Sequence, residues 1–104
     1  MNPEIPIACS LTGKQLQARR KNYLDKAAKV LVDSTEIEHG FIFKFSLKST
    51  ILQDLAEIID LERQCCPFLN FKLFVESKAD FVSLELTGAG EGTKEIIKSL
   101  FGWN

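Results

Sequence analysis

Phenylalanines occupy every second position in the segment "FIFKFSL", which follows Gly40. In an extended chain, the apolar residues of this segment lie on one side, and Lys44 and Ser46 lie on the other. The apolar residues are Phe41, Phe43, Phe45 and Leu47. This period of two predicts a strand with one buried face and one solvated face. The chain is therefore expected to contain a sheet that is covered on one face.

The first long helix is predicted from about residue 13 to residue 31, where the hydrophobic period becomes helical. Thr12 and Gln15 have the spacing of a capping box, which marks the start of the helix. The apolar residues behind this box are Leu16, Tyr23, Leu24, Ala27, Val30 and Leu31. They are expected to form the stripe that faces the core.

The second long helix is predicted to begin near Ser49 or Thr50, the capping candidates. It runs through "ILQDLAEIIDLERQCC" and ends before Pro67, because proline disfavours helical geometry in the preceding residue. A short third helix, "TKEIIKSLF", follows the loop "GAGEG", and Gly102 is its expected C-cap.

The remaining segments are predicted to be extended or irregular. "IPIACSL" is a short extended segment, and residues 33–39 form either an edge strand or a loop. "LNFKLFVES" and "FVSLELTG" are two strands around the turn "KAD". The 104 residues form a single domain. The fold class is α+β: a two-layer sandwich of a mostly antiparallel sheet with two long helices and a short C-terminal helix on one face.

Composition excludes several classes of protein. The net charge of −1 gives no general attraction to nucleic acid or to an anionic membrane. No apolar run is long enough to span a bilayer, and the N-terminus lacks the features of a signal peptide. A cytoplasmic location is therefore predicted. In that compartment the three cysteines are expected to be reduced thiols.

Glu62 is the residue that the helical projection places in an unexpected position. The apolar stripe of the second helix consists of Ile51, Leu52, Leu55, Ile58 and Ile59. At 100° per residue, Glu62 falls near the centre of this stripe, and Cys65 and Cys66 fall on its flanks. The carboxylate is therefore predicted to point at the core or at a pocket, with thiols at i+3 and i+4.

Arg20 occupies the corresponding position in the stripe of the first helix. A buried carboxylate without a partner is costly or takes up a proton. The simplest expectation is that Arg20 and Glu62 meet between the two helices. Such a pair is either a packing interaction or part of a polar pocket that contains thiols.

Cys65 and Cys66 are predicted not to form a disulfide with each other. Adjacent α-carbons lie about 3.8 Å apart, below the usual minimum of about 4.4 Å for a bridge. A nucleophilic role is disfavoured because the negative end of the helix dipole raises a thiol pKa. Two or three thiolates for a soft ion fit an adjacent pair better.

Cys9 and His39 complete the set of soft ligands. Zinc-finger spacing is absent from the sequence, which disfavours a structural zinc site. Cys9 is either a third thiolate or a small buried apolar residue of the first strand. His39 is interpreted as an exposed turn residue.

The segments "IACSLTGKQLQARR", "LERQCCPFLNFKL" and "LELTGAGEGTKEIIKSLF" together resemble a family of small uncharacterised bacterial proteins. These proteins carry a Glu-x-x-Cys-Cys-Pro/Ala-Phe motif, which corresponds here to Glu62, Cys65, Cys66 and Phe68. Related segments are fused behind DNA-binding regulators of the mercury-resistance type. The resemblance implies, by association, a thiol-dependent response to heavy metals, metalloids or oxidants.

The leading hypothesis is a protein that binds a soft metal or metalloid ion, or a thiol-reactive ligand. Cys65 and Cys66 are the predicted ligands and Cys9 a possible third, with Glu62 as acceptor and Arg20 as its counter-charge. The alternative is a non-catalytic interaction module, which could be a homodimer, and in which this cluster is structural. A thiol redox enzyme is the third hypothesis, although no catalytic residue is predicted.

Overall fold

A computed structural model describes residues 13–48, 50–78 and 80–101 of the chain. These residues form three helices and four strands in the order α-β-β-α-β-β-α. The elements are α1 (Lys14–Ala28), β1 (Leu31–Ile37), β2 (Gly40–Ser46), α2 (Ile51–Cys65), β3 (Asn70–Val75), β4 (Phe81–Thr87) and α3 (Thr93–Ser99). The predicted first strand and the Gly102 cap lie outside the described residues.

The four described strands form one antiparallel sheet in the order β1-β2-β4-β3. β2 and β4 are central, and each sequential hairpin adds one outer strand. Residues 33–39 therefore belong mostly to an edge strand, which decides between the two alternatives left open by their polar sequence. The predicted α+β architecture of helices layered on an antiparallel sheet is confirmed.

The alternating phenylalanines lie on the covered face of the sheet, as predicted. Phe43 and Phe45 are fully buried, and the Phe101 ring meets their rings edge-on at centroid distances of 4.9 and 5.2 Å. β4 contributes Val82, Leu84 and Leu86 to the same core. The helices contribute Leu24, Ala27, Ile51, Leu55, Ile58 and Ile97.

Helix α1 is shorter than predicted. It ends at Ala28 instead of about residue 31. The Val30 carbonyl accepts a hydrogen bond of 2.8 Å from the Ser46 amide, and Leu31 pairs with Phe45 in the sheet. Pairing between strands therefore overrides the helical period of these β-branched and aliphatic residues. The capping residue Thr12 lies outside the described residues.

The apolar stripe of α1 is also thinner than predicted. Leu24 and Ala27 are its buried residues, whereas Leu16 is 41% exposed. In α2, Leu52 is 40% exposed and Leu61 is buried instead. The helix begins after Thr50 and ends at Cys65, two residues before Pro67, in agreement with the prediction.

Gly40 permits the close approach of the two central strands. A β-carbon at this position would lie 1.8 Å from the Leu86 carbonyl oxygen, which is a backbone atom and cannot rotate away. We expect Gly40→Ala to push β2 from β4 and to lower the free energy of unfolding by about 1–3 kcal/mol. Urea denaturation measures this change.

Gly13→Ala is the matched control, because no atom lies within 4 Å of a β-carbon there. Its φ of 92° leaves only the cost of backbone strain, about 1–2 kcal/mol. Far-ultraviolet circular dichroism should show the native sheet signal in the Gly13 variant and a reduced sheet signal in the Gly40 variant. Equal stability of Gly40→Ala and the unmodified protein would contradict the crowding argument.

Candidate functional site

Arg20 and Glu62 form a two-point ion pair between α1 and α2. The arginine Nη2 donates to Glu62 Oε1 at 3.1 Å, and its Nε donates to Glu62 Oε2. Glu62 is fully buried, whereas the Arg20 side chain is 23% exposed. The pairing predicted from the two helical projections is confirmed. The guanidinium compensates the buried carboxylate and keeps one edge near solvent.

A second ion pair joins the same helices at the surface. Arg19 Nη2 lies 3.1 Å from Glu57 Oε2, and both side chains are well exposed. Exposed pairs of this kind contribute about 0–1 kcal/mol, because water and salt screen them. The buried pair is therefore the one that fixes the position of α1.

Both cysteines of the motif lie beside the buried carboxylate at the C-terminal end of α2. Cys66 Sγ is 3.9 Å from Glu62 Oε1 and 3.6 Å from Cys65 Sγ. The helix turn brings Glu62 and Cys66 together, since the Cys66 amide donates to the Glu62 carbonyl. Neither cysteine is exposed to solvent.

Glu62, Cys65 and Cys66 form a compact group of possible metal ligands. One carboxylate oxygen and the two sulfurs lie within 4.8 Å of one another. His39 is not part of this group: its side chain is exposed in the β1–β2 turn and lies 3.3 Å from a Glu38 oxygen. The interpretation of His39 as an exposed turn residue is confirmed.

The two cysteines differ in oxidation state. Cys65 is disulfide-bonded. Cys66 is a free thiol. The expectation that every cysteine is reduced is therefore wrong for Cys65 in this structure. Cys9 lies outside the described residues, so its predicted place as a third ligand has no structural counterpart here.

The oxidation state of Cys65 limits what the group can bind. A disulfide sulfur has no negative charge and is a poor metal ligand, whereas a thiolate is a strong one. The arrangement of Glu62, Cys65 and Cys66 can hold an ion only in the form of the protein in which the Cys65 disulfide is reduced. The geometry shows where the ligand atoms lie, and the ability to bind an ion depends on the redox state of Cys65.

The environment of Cys66 opposes ionisation. Burial raises the pKa of the Cys66 thiol from 9.0 to about 11, and the negative charge of Glu62 acts in the same direction. The positive charge of Arg20 offsets these effects only in part. Cys66 is therefore a neutral thiol at physiological pH and a slow nucleophile, in agreement with the expectation from its place at a helix C-terminus.

A second buried acid in α2 was not anticipated from the sequence. Asp54 is only 9% exposed, and its Oδ2 accepts a hydrogen bond of 3.0 Å from Thr50 Oγ1. The spacing of a threonine and an aspartate at i and i+4 in the first turn was the available signal. The interaction stabilises the start of α2 and lies at the opposite end of this helix from the cysteines.

No protein-family model matches the chain, and no curated protein or solved structure is significantly similar to it. The described helices are all too short or too polar to cross a membrane. The group formed by Glu62, Cys65 and Cys66 is therefore the feature from which a function can be inferred.

Removal of Arg20 is expected to destabilise the protein strongly. In Arg20→Met the Glu62 carboxylate stays buried without its counter-charge, which costs about 3–5 kcal/mol of folding free energy. Arg19→Met is the matched control on the same helix, and its loss of an exposed pair should cost less than about 1 kcal/mol. Urea denaturation of both variants measures the difference. Similar losses in the two variants would show that the buried pair does not fix α1.

Alkylation of Cys66 in the folded protein is expected to be slow and strongly pH-dependent. With a pKa of about 11 the thiol loses its proton only in strong alkali, so the rate should rise about tenfold per pH unit between pH 7 and 10. Peptide mass spectrometry after iodoacetamide treatment follows this residue, and the urea-unfolded chain is the control. A midpoint below pH 8 in the folded protein would refute the assignment of Cys66 as a neutral thiol.

Proposed function

We propose that the protein binds a thiophilic metal or metalloid ion through Cys65 and Cys66 when the Cys65 disulfide is reduced. The observation that carries this proposal is the buried group of two sulfurs and one carboxylate oxygen within 4.8 Å. Sulfur ligands select soft ions over magnesium or calcium, which prefer oxygen. Exclusion of water from the site strengthens the bonds to an ion that sheds its hydration shell.

The distance between the two sulfurs favours bent coordination. Two thiolates at about 2.3 Å from a tetrahedral ion lie about 3.8 Å apart. The Cys65 and Cys66 sulfurs are separated by 3.6 Å, so a bent site needs little rearrangement. A linear site with the same bonds needs about 4.6 Å between the sulfurs and would have to spread the pair. Zinc-like and cadmium-like ions or trivalent arsenic therefore fit better than linear two-coordinate ions.

Charge balance supports the same ligand class. Arg20 and Glu62 neutralise each other, so two thiolates require two positive charges for a neutral buried site. A divalent cation supplies these charges. Arsenite also gives a neutral site, because each thiol that bonds to arsenic displaces one hydroxide, which leaves as water with the thiol proton. A monovalent cation would leave a negative charge in the core, which is costly.

Glu62 and Arg20 have distinct roles in this proposal. Glu62 Oε1 accepts from Arg20 and also faces the Cys66 thiol, so it orients the sulfur and can take part in removing its proton. Arg20 holds the carboxylate in place and compensates its charge. These are positioning roles, and the sulfurs bind the ion.

Other features of the chain support the proposal indirectly. In a reducing cytoplasm, the compartment predicted from the sequence, the Cys65 disulfide would be opened and both sulfurs would become available. Cys9 is then a candidate third thiolate. The resemblance of the Glu-x-x-Cys-Cys motif to a family associated with mercury-resistance-type regulators points to the same class of ligand.

Native mass spectrometry with mercury, cadmium, zinc and arsenite tests the proposal. We expect the reduced protein to take up one ion and the oxidised protein to take up none, because oxidation removes the Cys65 thiolate. Cys65→Ser and Cys66→Ser should each lower the affinity for cadmium or arsenite at least tenfold. Cys9→Ser is a separate test, which shows whether a third thiolate takes part.

Two results would overturn the proposal. One is the absence of uptake by the reduced, folded protein at micromolar ion concentration. The other is uptake that persists unchanged in the double variant of Cys65 and Cys66. Circular dichroism of each variant separates loss of binding from loss of folding.

The complete burial of the three side chains favours a second candidate function, a non-catalytic interaction module with a structural cluster. In that case Cys66→Ala should leave binding to the partner and most of the folding stability unchanged. Glu62→Gln should lower the folding stability. The raised pKa of Cys66 opposes the third hypothesis, a thiol redox enzyme that uses this residue as its nucleophile.

A further inference from the structure

Strand β3 presents an exposed apolar edge. Among the described residues it pairs only with β4. Its last three residues, Leu73, Phe74 and Val75, are 40%, 57% and 46% exposed. A run of three exposed apolar residues on a strand with one edge left unpaired by the described residues is a template for another strand and is normally avoided.

The opposite edge of the sheet is protected in three ways. β1 has a register shift between Leu31 and Asp33, it is rich in polar residues, and it carries an exposed charge at Glu36. Lys94 of α3 lies 2.7 Å from that carboxylate and forms an ion pair with it. Shifts and charges of this kind prevent strand addition. β3 pairs with β4 in continuous register from Asn70 to Val75, so this edge lacks the register shift that β1 has.

The side chains of β3 alternate between the two faces of the sheet. Leu73 and Val75 lie opposite Leu84 and Val82, and so belong to the helix-covered face. Lys72 and Phe74 lie opposite Glu85 and Ser83 on the open face. Glu76, the next residue along the chain, is exposed. Continued alternation places Glu76 on the open face with Lys72.

We propose that β3 pairs with β3 of a second copy of this chain, antiparallel and about a two-fold axis at Phe74. In this register Lys72 lies opposite the partner's Glu76, and the reciprocal pair forms by symmetry. Leu73 lies opposite the partner's Val75 on the helix-covered face. A register centred on Leu73 would instead place Lys72 opposite a phenylalanine, so charge complementarity selects the register centred on Phe74.

The resulting dimer has one continuous eight-stranded sheet, since each copy contributes its four described strands. The two-fold axis is perpendicular to the sheet, so both helical layers cover the same face. Leu73 and Val75 of both copies then extend the apolar core across the interface. The two Phe74 rings meet on the open face. This interface does not involve the cysteines and is independent of ion binding.

Sedimentation equilibrium and light scattering over about 1–500 μM protein test the dimer. We expect a concentration-dependent dimer in the unmodified protein. Lys72→Glu places two glutamates opposite each other, and Glu76→Lys places two lysines opposite each other. Each variant alone should dimerise at least about tenfold more weakly.

A mixture of the two charge-reversed proteins tests the register itself. In the mixed dimer each glutamate again faces a lysine, so equimolar Lys72→Glu and Glu76→Lys proteins should form a heterodimer while each alone is mostly monomeric. Lys21→Glu, on the exposed face of α1, makes the same charge change outside the sheet and should leave dimerisation unchanged. Thermal melting of each variant confirms folding, since Lys72 also lies 3.5 Å from Glu85.

Three outcomes would overturn the proposal. The first is a monomer at all concentrations, including the case in which residues 1–12 of the same chain cover β3. The second is a dimer that is insensitive to both charge reversals. The third is weakening without recovery in the mixture, which would show that the strands pair in another register or that the dimer uses another surface.

Discussion

The buried ion pair between Arg20 and Glu62 is the interaction on which the rest of the site depends. It places a charged carboxylate inside the core, where that charge is tolerable only because a guanidinium reaches it with two hydrogen bonds. Burial raises the pKa of the Cys66 thiol, and the charge of the same carboxylate adds to this effect. One contact between helices therefore fixes the packing of α1 and contributes to the low reactivity of the neighbouring sulfur.

Burial and redox state together define the chemistry that is open to this cluster. A fast nucleophile needs an exposed, ionised thiol, and Cys66 is neither exposed nor readily ionised. A soft ion can displace thiol protons because its bonds to sulfur are strong, and a buried site with no net charge suits the complex. The disulfide at Cys65 competes with such an ion for the same sulfur.

The helical and strand periods in the sequence predicted much of this structure. Alternation at Phe41, Phe43 and Phe45 gave the covered strand, and projection of α2 placed Glu62 among apolar residues next to two cysteines. The end of α1 was not predictable in this way, because Val30 and Leu31 fit a helical stripe and a sheet equally well and distant pairing decides between them. The disulfide at Cys65 and the burial of Asp54 also depend on contacts in three dimensions that no periodicity encodes.

The thin apolar stripe of α1, with Leu24 and Ala27 as its buried residues, affects how a solute can reach the buried cysteines. A helix held by so little apolar surface and by ion pairs is expected to open at a lower free energy than the sheet. Opening of this helix breaks the contact at Glu62 and uncovers the end of α2. Local unfolding thus gives a route by which a solute can reach sulfurs that have no exposed surface in the closed protein.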